Sequence, residues 1–172
     1  MHTGATARLE LRCHAKVNLT LDVLERRPQD GYHYIRSIMV PISLSDRLVL
    51  EPADEGITLV NTPAVTGRVE ENLAYRAGVL LQRTTGFAGG ARISLEKEIP
   101  VAGGLAGGST DAAGVLVGLN RLWGTGLRAE ELVRLAAQLG SDVPFFVHGR
   151  PARVEGIGER ITPLQLARPL WM

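Results

Sequence analysis

Apolar and polar residues alternate through the first part of the chain. Ala7 to Cys13 reads ARLELRC, and Val17 to Val23 sets Val17, Leu19, Leu21 and Val23 against Asn18, Thr20 and Asp22. A period of two is that of a strand with one face on a core, so both stretches predict half-buried strands. Glu25 to Gly31 is a polar loop with Pro and Gly. Tyr32 to Val40 predicts the next strand. Leu44 to Pro52 holds another, RLVLE, with Ser45-Asp46 as its turn, and Ile57 to Asn61 a short one. Thr62 to Glu70 reads as irregular.

The period then changes. Leu73, Ala77, Leu80 and Leu81 share one helical face between Glu71 and Thr85, and Gly86 ends the helix. A strand over Arg92 to Glu98 follows. Ala112, Val115, Leu116, Leu119 and Leu122 predict a helix from about Ser109 to Trp123, and Arg128 to Leu139 predicts a third. The apolar run Val143 to Val147 reads as a strand, and Ala152 to Gly158 as a hairpin. Strands interspersed with three helices predict an α+β or α/β fold, a β-sheet packed by helices.

Between the strand at Arg92 and its helix lies Pro100-Val101-Ala102-Gly103-Gly104-Leu105-Ala106-Gly107-Gly108-Ser109-Thr110. Four glycines leading into a helix start can present bare N–H groups to an anion, and phosphate is the default ligand of such a cradle. The Walker pattern fails, because Ser109 follows Gly108 where Lys is required, and no window fits the dinucleotide spacing. The cationic partner must come from another segment, a metal, or both. Asp111, in the first helical turn, would repel phosphate unless Lys or a metal stands near, which makes it a candidate outer contact of a metal.

Composition narrows the class. The chain has 172 residues, 45% hydrophobic and 22% charged, which suits one domain with a real core. Net charge is +1 with no basic run, which argues against nucleic acid and anionic membrane as partners. Cys13 is the single cysteine, so neither an internal disulfide nor a thiolate zinc site can form, and it reads as a small core residue. The start of the chain lacks an apolar signal core, and the simplest location is the cytoplasm.

Several polar residues stand out against bland readings. Lys16 and Asn18 fit either a polar site or a solvated strand face. Tyr32, His33 and Tyr34 fit either a site that stacks a base and bonds its edge or, for the two tyrosines, the rim of the core. Asn72 fits a helix start. Asp142, between a helix stop and an apolar run, fits a turn cap or a carboxylate held near the loop's ligand.

Taken together, Lys16-Val17-Asn18, Asp30-Gly31-Tyr32-His33, the glycine loop and Gly140-Ser141-Asp142-Val143-Pro144-Phe145-Phe146 resemble the motifs of the GHMP kinase superfamily, in that family's order. The longer, glycine-richer loop resembles the branch that phosphorylates the 2-hydroxyl of 4-diphosphocytidyl-2-C-methyl-D-erythritol in the non-mevalonate route to isoprenoids. The resemblance implies the N-terminal domain of that superfamily, a fold that recurs in ribosomal proteins. It implies ATP bound by Pro100 to Thr110 and by Asn72, with Mg²⁺. Lys16 and Asp142 match the catalytic positions beside the acceptor hydroxyl. Asn18, Tyr32 and His33, with Lys16 and Asp142, match the substrate site, Tyr32 and His33 at the cytosine. Other acceptors of the superfamily and an ATP-binding module without catalysis are the alternatives.

Members of the superfamily carry a second, C-terminal domain. The expected division is a nucleotide-binding domain over residues 1–165 and the start of a missing domain over 166–172. That would leave half of a cytidine clamp and a bare apolar face.

Overall fold

The computed structural model describes residues 8–29, 31–63 and 67–166. Asp30, the N-terminal residues up to Ala7, and the closing segment 167–172 lie outside them, so the expected start of a second domain is not described beyond Leu166.

Two long strands form the spine. β1 (Leu9–Arg26) and β2 (His33–Ala53) run antiparallel, in register from Leu9↔Leu50 to Arg26↔His33. The chain adds β3 (Ile57–Thr62), β4 (Gly90–Glu96), β5 (Ala152–Gly156) and β6 (Arg160–Pro163) to make a six-stranded sheet. β1 takes one edge of β2. The other edge is shared: β4 pairs with Arg47–Ala53 and β5 with Ile35–Met39. β3 lies parallel to β4, and β6 antiparallel to β5.

The separate strands read from the alternation therefore merge. Ser45-Asp46 is not a turn: β2 passes straight through it, with Asp46 opposite Cys13. Asp46 is fully buried, and its Oδ1 accepts hydrogen bonds from the backbone N–H groups of Glu98 and Ile99 at 2.6 and 2.9 Å. An aspartate with such partners has no need of a turn to satisfy it.

The distal part of the β1–β2 hairpin also departs from the expectation of a half-buried strand. Leu21 and Val23 are 53% and 61% exposed. No helix covers them, and the register shift between Asn18 and Thr20 breaks the alternation.

Four helices accompany the sheet among the described residues: α1 (Leu73–Thr85), α2 (Gly107–Trp123), α3 (Ala129–Leu139) and α4 (Val143–His148). Leu48, Leu50, Ile93 and Leu95 of the sheet meet Leu81 of α1 and Val115, Leu116 and Leu119 of α2 in the main core. Gly118 lets α2 lie close on the strands, since a Cβ there would stand 2.3 Å from Leu50 Cδ1. Cys13 is a buried free thiol packed in this core, and burial raises its pKa. Among the described residues no helix is long and apolar enough to cross a membrane.

Two helix readings need correction. Residues Val143 to Val147 are helical, not a strand. Pro144 sits in the first turn, Phe145 is buried, and Gly149 closes the helix in the left-handed region; a short apolar run does not declare its period. Second, α2 begins at Gly107, ahead of the expected start at Ser109, with Ala106 at the cap in the left-handed region and no side-chain cap. Thr110 and Asp111 are already inside the helix and buried, so they are not available to cap it.

Candidate active site

The segment from Ile99 to Ser109 walls a cleft of about 390 Å³ between α1 and α2. Its backbone is unusual where it turns. Ala102 and Ala106 adopt φ of 61° and 58° although neither is glycine. Such residues cost on the order of 1 kcal/mol each and persist where the surroundings fix them. Gly104, at φ 72°, takes a third such position. At Gly107 a Cβ would meet Ile99 Cγ2 at 3.0 Å and Lys97 Nζ at 3.3 Å.

Asn72 lies at the cleft and caps α1, its side chain accepting from the N–H of Ala74 at 2.9 Å. Of the loop residues matched to ATP, Leu105 and Thr110 do not line the cleft. Thr110 is buried, and Leu105 offers its carbonyl to the Lys16 N–H at 3.2 Å.

Lys16 is not on a solvated face. It is 6% exposed, and Nζ donates to Asn18 Oδ1 at 2.7 Å and to the Gly104 carbonyl at 3.3 Å. It stands 3.6 Å from Asp142 Oδ2. Asn18 in turn donates to Ser37 Oγ at 2.8 Å, which fixes the amide orientation. Asp142 lines the cleft and precedes α4 without making a side-chain cap, so the turn-capping reading is not realised. Its position is tightly set: a Cβ on Gly158, in the β5–β6 turn, would fall 2.1 Å from the Ser141 carbonyl oxygen.

Tyr32 and His33 lie elsewhere, at the far end of the hairpin. His33 pairs with Arg26, whereas Lys16 pairs with Pro41. Tyr32 is 60% exposed, so it is not a cover for the core, and His33 is exposed with Nδ1 3.1 Å from the Leu24 carbonyl. Neither lines the cleft.

A second cation lies on the cleft wall that sequence reasoning did not single out. Lys97 donates to Asp111 Oδ2 at 2.5 Å and also to Asp46 Oδ2. In Glu96-Lys97-Glu98 it looks like a solvated strand end, and only β2 and α2 supply its carboxylates. Burial lowers the Lys97 pKa, and the Asp111 and Asp46 charges more than offset this, leaving it raised. Burial pushes Asp111 up to about 7, against the opposing pull of Lys97. Of the two neighbours that Asp111 would need beside a phosphate, the structure supplies a lysine.

A cleft walled by strained loop backbone, the N-terminus of a long helix and the enclosed Lys97 ammonium suits a polyphosphate. A Lys–Asp pair at its edge suits a hydroxyl that must lose a proton.

Residues 72–150, which include the loop, α2 and Asp142, match the model of the GHMP kinases N terminal domain. A protein of Symbiobacterium thermophilum named 4-diphosphocytidyl-2-C-methyl-D-erythritol kinase is 71% identical over 164 residues, 95% of this chain and 58% of its own length. One of Geobacillus sp. with the same name is 47% identical over 166 residues, 96% of this chain and 57% of its own. A crystal structure of 4-(cytidine 5'-diphospho)-2C-methyl-D-erythritol kinase superposes with a TM-score of 0.78 at 47% identity, covering 92% of this chain and 56% of that one. The mevalonate kinase of Methanococcus jannaschii, at 15% identity and TM-score 0.66, shares the fold. The chain thus spans a little over half the length of these curated relatives. Residues 72–150 are thus similar to the GHMP kinases N terminal domain, and the chain has the fold of that domain.

Proposed function

We propose that this protein transfers the γ-phosphate of ATP to the 2-hydroxyl of 4-diphosphocytidyl-2-C-methyl-D-erythritol, in the cytoplasm, on the non-mevalonate route to isoprenoids. The observation that carries the reading is the Lys16–Asp142 pair, 3.6 Å apart at the edge of the glycine-loop cleft. The cytidyl acceptor is favoured by the relatives at 71% and 47% identity that bear the name of that kinase.

Each residue then has a task. The loop from Pro100 to Ser109 and Asn72 seat the nucleotide, with Lys97 as a further cation beside the phosphates. Asp142 accepts or orients the acceptor hydroxyl proton, and Lys16 stabilises the charge that develops. Asn18 holds Lys16 and reaches toward the substrate. Tyr32 stacks on cytosine while His33 makes a polar contact with it.

Mg²⁺ fits as a passenger of the nucleotide. Among the described residues no three His, Cys, Asp or Glu side chains converge to cage a metal. Of the carboxylates at the cleft, Asp111 is bonded to Lys97 and Asp142 faces Lys16. Phosphate oxygens and water would supply the ligands, and the ion would neutralise phosphate charge.

Residues 1–165 serve in this reading as the nucleotide-binding domain of a two-domain enzyme, with residue 166 onward leading into the second. The test is a phosphotransfer assay with ATP and the cytidyl alcohol, on this chain and on one extended by the relatives' remaining domain. Turnover in the extended form alone makes this chain its nucleotide half. Turnover with homoserine or mevalonate in place of the cytidyl alcohol overturns the acceptor.

A further inference from the structure

Lys97 joins three elements that are remote in sequence. It stands just after β4, Asp46 is in the middle of β2, and Asp111 is in the first turn of α2. The carboxylates are almost fully enclosed, with side chains 0% and 3% exposed, and the ammonium is 11% exposed. Asp46 also receives the N–H groups of Glu98 and Ile99, where the chain leaves β4 for the glycine loop. One carboxylate therefore sets both the cation and the first backbone of the cradle.

Charge does not balance in this cluster. Two carboxylates face one ammonium, and Asp111 Oδ1 is buried without any hydrogen-bond partner. A buried, unpartnered carboxylate oxygen is costly when ionised and much less so when protonated. Other elements bring little relief. β1 contributes Cys13 and Lys16, and Lys16 bonds to the Gly104 and Leu105 carbonyls of the loop. Asp142 lines the same cleft and adds negative charge. α1, α3 and α4 bury only residues that do not titrate.

We propose that Asp46 and Asp111 are positioning residues that seat Lys97 toward the phosphates, and that this seat takes up one proton when a polyphosphate enters the cleft. The inference rests on the nucleotide reading of the cleft. An incoming polyphosphate adds negative charge beside an already anionic cluster, which favours protonation of the enclosed acid. Lys97 is then left with one carboxylate and the phosphate instead of two carboxylates and the phosphate. The upward displacement of Asp111 toward neutrality in the empty cleft agrees in direction.

The sign follows from linkage. If binding favours the protonated acid, affinity falls as pH rises above its free value, by up to about tenfold per unit. The test is calorimetric titration of Mg-ATP into the chain between pH 7.5 and 9, in buffers of different ionisation enthalpy. The wild type is expected to take up between zero and one proton and to weaken with pH. Asp111→Asn, whose amide imitates the neutral acid, is expected to bind with no uptake and a flat pH response. Infrared difference spectra of the wild type at pH 8 should gain a protonated-carboxyl C=O band on nucleotide addition, which needs no variant. ATP binding without proton uptake and without that band overturns the proposal and spares the nucleotide reading. No ATP binding at any pH overturns both.

Discussion

Lys16 Nζ and Asp142 Oδ2 stand 3.6 Å apart, one from the first strand and the other from the turn after α3. Lys16 is enclosed while the Asp142 side chain keeps 28% exposure, so the carboxylate is the member that can meet an incoming hydroxyl. Asp142→Asn keeps the shape and removes the carboxylate to which the proposed function gives the hydroxyl proton. Transfer should fall by roughly 10²- to 10⁴-fold with the ATP Kd within a factor of two or three, as measured by single-turnover assay and nucleotide titration on an active preparation. Retained turnover would remove Asp142 from the proton-handling role.

The β5–β6 turn sets the position of that carboxylate. Gly158→Ala puts a methyl where the Ser141 carbonyl now lies, and Gly158 holds φ 116°. The Ser141-Asp142 segment must shift. A displacement near 1 Å at a reacting group costs about 10²-fold in kcat, so kcat should drop while ATP affinity stays. Equal losses in both would mean the turn acts on the whole cleft.

Gly107→Val crowds Ile99 and the Lys97 ammonium together, since even a Cβ lies within 3.3 Å of both. ATP should bind about tenfold more weakly or worse, near 1.4 kcal/mol, by calorimetry. Unchanged affinity would argue that neither the loop nor Lys97 touches phosphate.

Asp111 makes stability depend on pH. Its pKa in the folded chain is raised to about 7 from the usual 3.8, so the folded state holds the proton more tightly than the unfolded chain. Stability is then lost as pH climbs from about 4 to 7, at up to about 1.4 kcal/mol per unit. Asp111→Asn should lack this loss, and its Tm advantage over the wild type should be larger at pH 8 than at pH 5. The same Tm difference at both pH values would mean that Asp111 is ionised throughout.

Tyr32→Ala removes an exposed ring at the hairpin's end. If it stacks on cytosine, the KM of the cytidyl alcohol should rise about two- to tenfold, as expected for an aromatic pair worth 0.5–1.5 kcal/mol, with the KM of ATP unchanged. Equal changes would take Tyr32 out of the acceptor site.

The legible parts of this molecule were those written in neighbouring residues. The glycine loop and the following helical period point to a turn into α2, Asn72 and Gly86 mark the ends of α1, and the closing hairpin starts at Ala152 as its pattern suggests, but its second strand runs beyond Gly158 to Pro163. What escaped depends on tertiary partners. Asp46 beside Ser45 has the look of a turn until β4 offers it two N–H groups and a lysine. Lys97 between two glutamates has the look of a wet strand end until β2 and α2 close over it. The Val143 to Val147 run has too few residues to declare a period. The pairing of Lys16 with Asp142 was foreseen through family resemblance, since no local pattern links them.

The two tenants on one edge of β2 have a temporal consequence. As the chain leaves the ribosome, β1 and β2 can form their hairpin at once, because they are neighbours in sequence. The inner half of β2's other edge waits for β4, and the outer half must stay open until three helices have followed and β5 arrives. Lys16 is synthesised early and spends that interval without its carboxylate. The Lys16–Asp142 pair is therefore among the last features the nascent chain acquires.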